Sequence, residues 1–151
     1  MQTFLISKSF TETAKCLDYR RLGKMRIESY QLLLAMGDEN YGWRNHPAFK
    51  MWNGYSIALA HYGIAICEEW IRRGYKDTML DRFMKYVPDM NWVGVPVPSW
   101  LGNEKFHSSH RSCLLYKDYG WYSQFGWTEK PAIPISIKKN SVTLPYVWPV
   151  Q

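Results

Sequence analysis

HPAFKMWNGYSIALAHYGIAICEEWIRRGY fills residues 46–75. Within it Trp52, Tyr55, Leu59, Gly63, Ile66 and Trp70 recur at steps of three and four, with Ile71 beside the last, the repeat of a helix buried along one side. Pro47 suits a first helical turn, with Asn45 or His46 ahead of it, and Gly74 closes the run. The spacing predicts a helix over 48–73, long enough at roughly 39 Å to be the backbone of a whole domain. Gly54 and Gly63 would let a second helix approach it closely.

On the N-terminal side, Leu22, Met25, Leu32, Leu33 and Met36 keep the same helical spacing, which predicts a helix over 12–36 stopped by Gly37. Ser9, Thr11 and Thr13 are cap candidates, and Glu12 suits the positive end of that helix. Gly23, costly inside a helix, marks a bend or a close approach. Residues 3–6 are short and apolar, and GDENYGWRNHP (37–47) is a loop by composition. On the C-terminal side, Asp77 or Thr78 can cap a short helix that runs to Val87 and ends at Pro88. An irregular loop covers 88–103, a helix capped by Asn103 covers 104–117, and an aromatic turn covers 119–127. Pro131, Pro134, Pro145 and Pro149 make the end of the chain an extended tail. The expectation is all-α: one compact domain over 1–151, with three to four main helices and a Pro-rich C-terminal tail.

Of the 151 residues, 46% are hydrophobic and 21% charged, which excludes a disordered or fibrous chain. A net charge of +6 together with 17% aromatic residues suits a surface that meets phosphates and stacks bases. Cys16, Cys67 and Cys113 are odd in number and scattered, so no disulfide framework is expected and a reducing compartment follows. The N-terminus lacks the pattern of a signal peptide, and no run of eighteen apolar residues exists. A cytoplasmic protein is expected, in the host cytoplasm if the gene is a phage's, with no membrane partner. There is no Gly-rich phosphate loop, no Gly-x-Ser-x-Gly elbow and no Cys-x-x-Cys pair, so nucleotide kinases, serine hydrolases and zinc fingers fit poorly.

Four constellations bear chemistry. Arg21, Lys24 and Glu28 share one helical face, with Arg20 one turn from Lys24: cations for phosphate oxygens and a carboxylate for acid–base work. The plain alternative is a solvated face with a Lys24–Glu28 pair. Trp43, Arg44 and His46 lead into a helix N-terminus, where free N–H groups favour anions; a simple cap with Trp43 buried competes. His107 and His110 lie on one face beside Arg111. Zinc needs more ligands than that pair supplies, even with His46, so no metal is expected; His110 and Arg111 are read as donors to a phosphate or base. His61, alone on its helix, is read as a buried core imidazole. Last, Trp121, Tyr122, Phe125 and Trp127 beside Lys117 are either a stacking surface or an aromatic lid on the core.

Three blocks together resemble the pyrimidine-dimer DNA glycosylases, the family typified by phage endonuclease V, and most closely an uncharacterised bacterial and phage branch of it. They are LDYRRLGKMRIESYQLL (17–33), the 46–75 stretch, and FHSSHRSCLLYKDYGWYSQFGW (106–127), with Tyr146-Val147-Trp148-Pro149 matching the branch's ending. The resemblance implies a compact all-α fold and no cofactor. It implies cleavage of the N-glycosidic bond at pyrimidine dimers in DNA by the chain's own α-amine, a Schiff base, and then strand scission. It also implies arginines around a catalytic Glu and a base flipped into a pocket. Tyr19, Arg20, Leu22 and Lys24 fit the family's pattern. Arg21 stands where that Glu belongs. The nearest carboxylate, Glu28, lies about 10 Å further along the helix. Gln2 is bulky for a second residue, which leaves the amine on Met1.

Two functions follow. In the first, the protein releases a damaged or modified base, with Glu28 as acid or base and the Met1 amine as nucleophile. In the second, it cleaves nothing and sequesters a nucleotide-type molecule, for example a host immune signal such as a cyclic dinucleotide or an ADP-ribose derivative. Gln2, Arg20, Arg21, Lys24, Arg44, His46, His110 and Arg111 would hold that molecule, with Trp43 or Trp100 stacking. An intermediate variant cleaves the glycosidic bond of a free nucleotide. Both functions require the cations near residue 20 and the turn near residue 45 to face one cavity.

Overall fold

A computed structural model of the protein describes residues 2–88, 91 and 94–131, and among these the regular structure is entirely helical. The apolar stripe of the 46–75 stretch forms two helices, α3 (Pro47–Trp52) and α4 (Ser56–Arg72). The break falls at Gly54, whose φ of +90° a side-chain-bearing residue rarely adopts. The predicted 12–36 helix is likewise two, α1 (Phe10–Cys16) and α2 (Tyr19–Gly37). Leu17 leaves the helix in an extended conformation, and the Asp18 carboxylate accepts the Arg21 backbone N–H to start the next one. Both long patterns are therefore right about the buried face and wrong about continuity. A cap and a positive-φ glycine interrupt the backbone without disturbing the spacing of apolar side chains.

Helix α5 (Leu80–Met84) is opened by Asp77, which accepts the Met79 and Leu80 N–H groups. Helix α6 (Glu104–Lys117) keeps its expected bounds, with the Asn103 side chain accepting from Lys105 and Phe106. Helix α7 (Tyr119–Tyr122) and a 3-10 turn over Ser123–Phe125 form the aromatic turn. Helix α4 is the centre and packs against α2, α1 and α5. Trp52, Tyr62, Phe83, Phe106 and Tyr122 are fully buried around it. Each large apolar side chain so removed from water contributes roughly 1.5–3 kcal/mol. Gly63 does allow a close approach, to α5: a Cβ there would stand 2.3 Å from the Phe83 ring. Gly23 does the same for Trp70, at 3.2 Å.

Residues 2–6 have no strand to pair with, yet they are buried in the middle of the helices. Their backbone groups are satisfied by side chains instead, as buried peptide groups must be. Leu5 N–H donates to His110 Nδ1 (3.0 Å), and Leu5 C=O accepts from His107 Nδ1 (2.9 Å). Phe4 C=O accepts from the Tyr62 hydroxyl (2.7 Å), and Ile6 gives its N–H to Thr13 and takes Arg111 Nη1 at its C=O. Thr3 Oγ1 accepts the Trp52 indole N–H (2.9 Å). The head of the chain is thus threaded into the core and held in one position. The C-terminal tail expected beyond Pro131 lies outside the described residues. Among the described residues no helix is long and apolar enough to cross a membrane.

Candidate functional site

A cavity of about 970 Å³ opens between the first turns of α2, the head of the chain and the α6–α7 junction. Helix α2 presents Arg20, Arg21, Lys24 and Glu28 to it, because spacings of one, three and four residues fall on adjoining faces of a helix. Gln2 reaches it from the buried N-terminal segment, and His46 from the cap of α3. These are six of the residues singled out in the sequence, and of the turn near residue 45 His46 lines this cavity while Trp43 and Arg44 do not.

The groups in this cavity differ in how far they are committed. Asp18 pairs with Arg21 at 3.1 Å and accepts a hydrogen bond from the Tyr122 hydroxyl. Burial pushes the Asp18 carboxyl up, but the Tyr122 and Arg21 hydrogen bonds outweigh it and hold it below the usual range. Arg73 also lines the cavity, yet it is tied to Glu69 and to the carbonyls of Ala14 and Lys15. Lys24 and Lys117 form no salt bridge among the described residues, and Arg20 meets only the Tyr19 ring and hydroxyl. Burial, with Arg21 close by, holds the Lys117 amine below its ordinary value.

Glu28 is half-buried. Burial raises its carboxyl above the ordinary value, against the opposite pull of Lys24 and of the Gln2 backbone N–H that it accepts. A carboxyl raised in this way keeps its proton to a higher pH than an exposed one, which suits a proton donor. Burial likewise lowers the His46 imidazole, whose Nδ1 accepts the Ala48 N–H. Tyr19, with Arg20 over its ring, and Trp121 line the cavity, and both are exposed. Trp121 is pinned through its indole N–H to Cys16 C=O at 2.7 Å.

The other sequence candidates lie elsewhere. Arg44 closes the end of α2, donating to Ala35 C=O at 2.5 Å and lying over the Phe49 ring. Trp43 packs edge-on against His46 and on the core, away from the cavity wall. Trp100 is buried edge-on to Trp52, with its indole N–H on Met51 C=O. His110 is fully buried at Leu5, and burial drives its pKa down to about 3. Arg111 is enclosed by Glu129, Glu104 and Ile6 C=O. His107 Nε2 accepts the Gly102 N–H, so both of its ring nitrogens serve the backbone. His61 is buried, as a core imidazole would be. Met1 lies outside the described residues.

Sequence reasoning passed over Tyr19, Arg73 and Tyr75 as site residues. It treated Lys117 and Trp121 only as part of an aromatic cluster. Nothing local marks these residues: they come from separate segments that meet only in the folded chain.

A family model described as pyrimidine dimer DNA glycosylase matches residues 1–83, a span that contains Gln2, the whole of α2 and His46. No curated protein and no solved structure matches the chain.

Proposed function

The chain belongs to the pyrimidine dimer DNA glycosylase family, and from that premise we propose that it releases a damaged or modified base from DNA by cleaving the N-glycosidic bond. The observation that carries this reading is that Glu28 and Gln2, the first described residue of the N-terminal segment, line one cavity with Arg20, Arg21 and Lys24. In this reading the nucleophile is the α-amine of Met1, next in sequence to Gln2. Arg20, Arg21 and Lys24 hold phosphate oxygens at the mouth, while Tyr19 and Trp121 stack bases.

The amine attacks C1′ as the bond to the base breaks, and the departing base takes the proton of Glu28. The sugar ring opens to a Schiff base on the amine as the C1′–O4′ bond breaks, the proton shed by the attacking nitrogen passing to O4′. The Glu28 carboxylate then accepts a C2′ proton, and loss of that proton expels the 3′-phosphate. Glu28 therefore gives a proton in one step and takes one in the next. A carboxyl lifted toward neutrality by burial suits both roles better than an exposed one.

A second reading, capture of a nucleotide-type molecule with no bond cleaved, is favoured by Arg21 standing at the family's Glu position. The deciding assay is base release from duplex DNA carrying cyclobutane dimers or other base lesions, with borohydride trapping of the Schiff base. Release with a trapped adduct is expected. Binding to a nucleotide with neither release nor adduct would replace catalysis with capture.

A further inference from the structure

Gln2 is 5% exposed and lines the cavity, and neither Nε2 nor Oε1 has a hydrogen-bond partner among the described residues. A desolvated amide with both ends unpaired is destabilising and is rare in folded proteins. Ser29 Oγ is also buried without a partner among the described residues, but it does not line the cavity. Among the described residues Gln2 thus combines an unmet hydrogen-bonding demand with a place on the cavity wall, and because its amide Nε2 and Oε1 are themselves closed off, the side chain turns toward the cavity to meet a ligand. The polarity of the cavity gives that ligand a direction. Tyr19 (52% exposed) and the exposed Arg20 and Lys24 are the solvent-facing part of its lining, and Gln2 is a buried part.

We propose that the Gln2 side-chain amide reads the edge of a nucleobase inserted into this cavity. Its C=O accepts from an N–H of the base and its NH2 donates to the adjacent ring nitrogen or carbonyl. This deepens the nucleic-acid reading of the site and rests on it. An amide offers one acceptor beside one donor, and the edge of a nucleobase presents the complement. The amide can turn over, so it serves either order of donor and acceptor. It therefore selects for the presence of a base edge more than for one base. The exposed cations take the phosphate of the same nucleotide, and Tyr19 or Trp121 takes the face of a ring. The base can come from a free nucleotide or from a nucleotide extruded from a duplex.

Calorimetric titration of the intact protein separates these sources. One arm compares AMP, GMP, CMP and UMP with ribose 5-phosphate. The other compares a duplex carrying one mismatched base with the same duplex carrying a tetrahydrofuran abasic analogue there. In at least one arm the base-bearing probe should bind about ten- to a hundredfold more tightly than its baseless twin. That gain should vanish in Gln2→Met, which keeps the length of the side chain, and in Gln2→Leu. Both variants should melt at or above the wild-type temperature, because they remove an unpaired amide, and a merely structural glutamine would not behave so. No gain in either arm, a gain that survives Gln2→Met (stacking alone), or failure of both variants to fold would overturn the proposal. Base release and Schiff-base trapping are separate readouts, so a protein that reads a base but does not cleave would be recognised as such.

Discussion

The first turns of α2 and the buried face of α6 are built from similar residues and do opposite work. Each sets arginine beside a carboxylate and borders on histidine, and each adjoins the N-terminal segment. On α6, His107 and His110 grip the two backbone groups of Leu5, and Arg111 holds Ile6 C=O while Glu129 and Glu104 surround it. On α2, Lys24 forms no salt bridge among the described residues and Glu28 lines the cavity, and beside the helix the Gln2 amide has no partner among them. Residue type therefore does not separate a structural polar cluster from a functional one. Whether hydrogen-bonding capacity is already spent does. The α6 cluster uses its capacity to hold the head of the chain, and the α2 cluster keeps some for a ligand.

The sharpest way to break this contrast is to remove the same charge from each side. Glu28→Gln should slow base release by about 10²–10⁴-fold, with no loss in melting temperature, since burial already disfavours its charged form. Glu129→Gln should do the reverse. It leaves Arg111 without its main partner, costs about 1–3 kcal/mol of stability by denaturant titration, and leaves the release rate alone.

Acid sharpens the contrast next. Burial lowers His110 from 6.5 to about 3 in the folded protein, so the unfolded chain takes up a proton that the native one refuses. Its contribution is fully present above pH 6.5 and is lost as pH falls from there toward 3, at up to about 1.4 kcal/mol per pH unit. His110→Phe should be less stable at neutral pH, because Leu5 N–H loses its acceptor, yet show a shallower decline between pH 6 and 4. Melting curves across pH read both. An unchanged acid limb would show that His110 does not hold the chain as described.

The smallest effect belongs to the mouth of the cavity. Lys24→Ala should weaken duplex binding only a few-fold and reduce the dependence of log K on log salt by about 0.9, the share of one phosphate contact. Stability should not change. Lost stability with an unaltered salt slope would move Lys24 into the structural group.

The cation face of α2 was legible because helical periodicity converts sequence spacing directly into shared direction: Arg21, Lys24 and Glu28 had to fall together. The bounds of α6 were legible from the Asn103 cap. The breaks at Asp18 and Gly54 were harder, because the apolar repeat runs straight through them. The role of the N-terminal segment was hidden for a different reason. A backbone satisfied by side chains from residues such as His110, 105 positions away, carries no local pattern. The same long range concealed why His107, His110 and Arg111 are not at the cavity, and it brought Lys117 and Trp121 to the cavity from the far end of the described chain.

Peptide mapping of the borohydride-trapped protein–DNA adduct by tandem mass spectrometry tests the central claim most directly. Attachment within the first tryptic peptide, residues 1–8, is the expected result, at the α-amine of Met1. Attachment at Lys117, whose depressed amine lines the same cavity, or at Lys24 would contradict it and move the nucleophile from the head of the chain to a side chain.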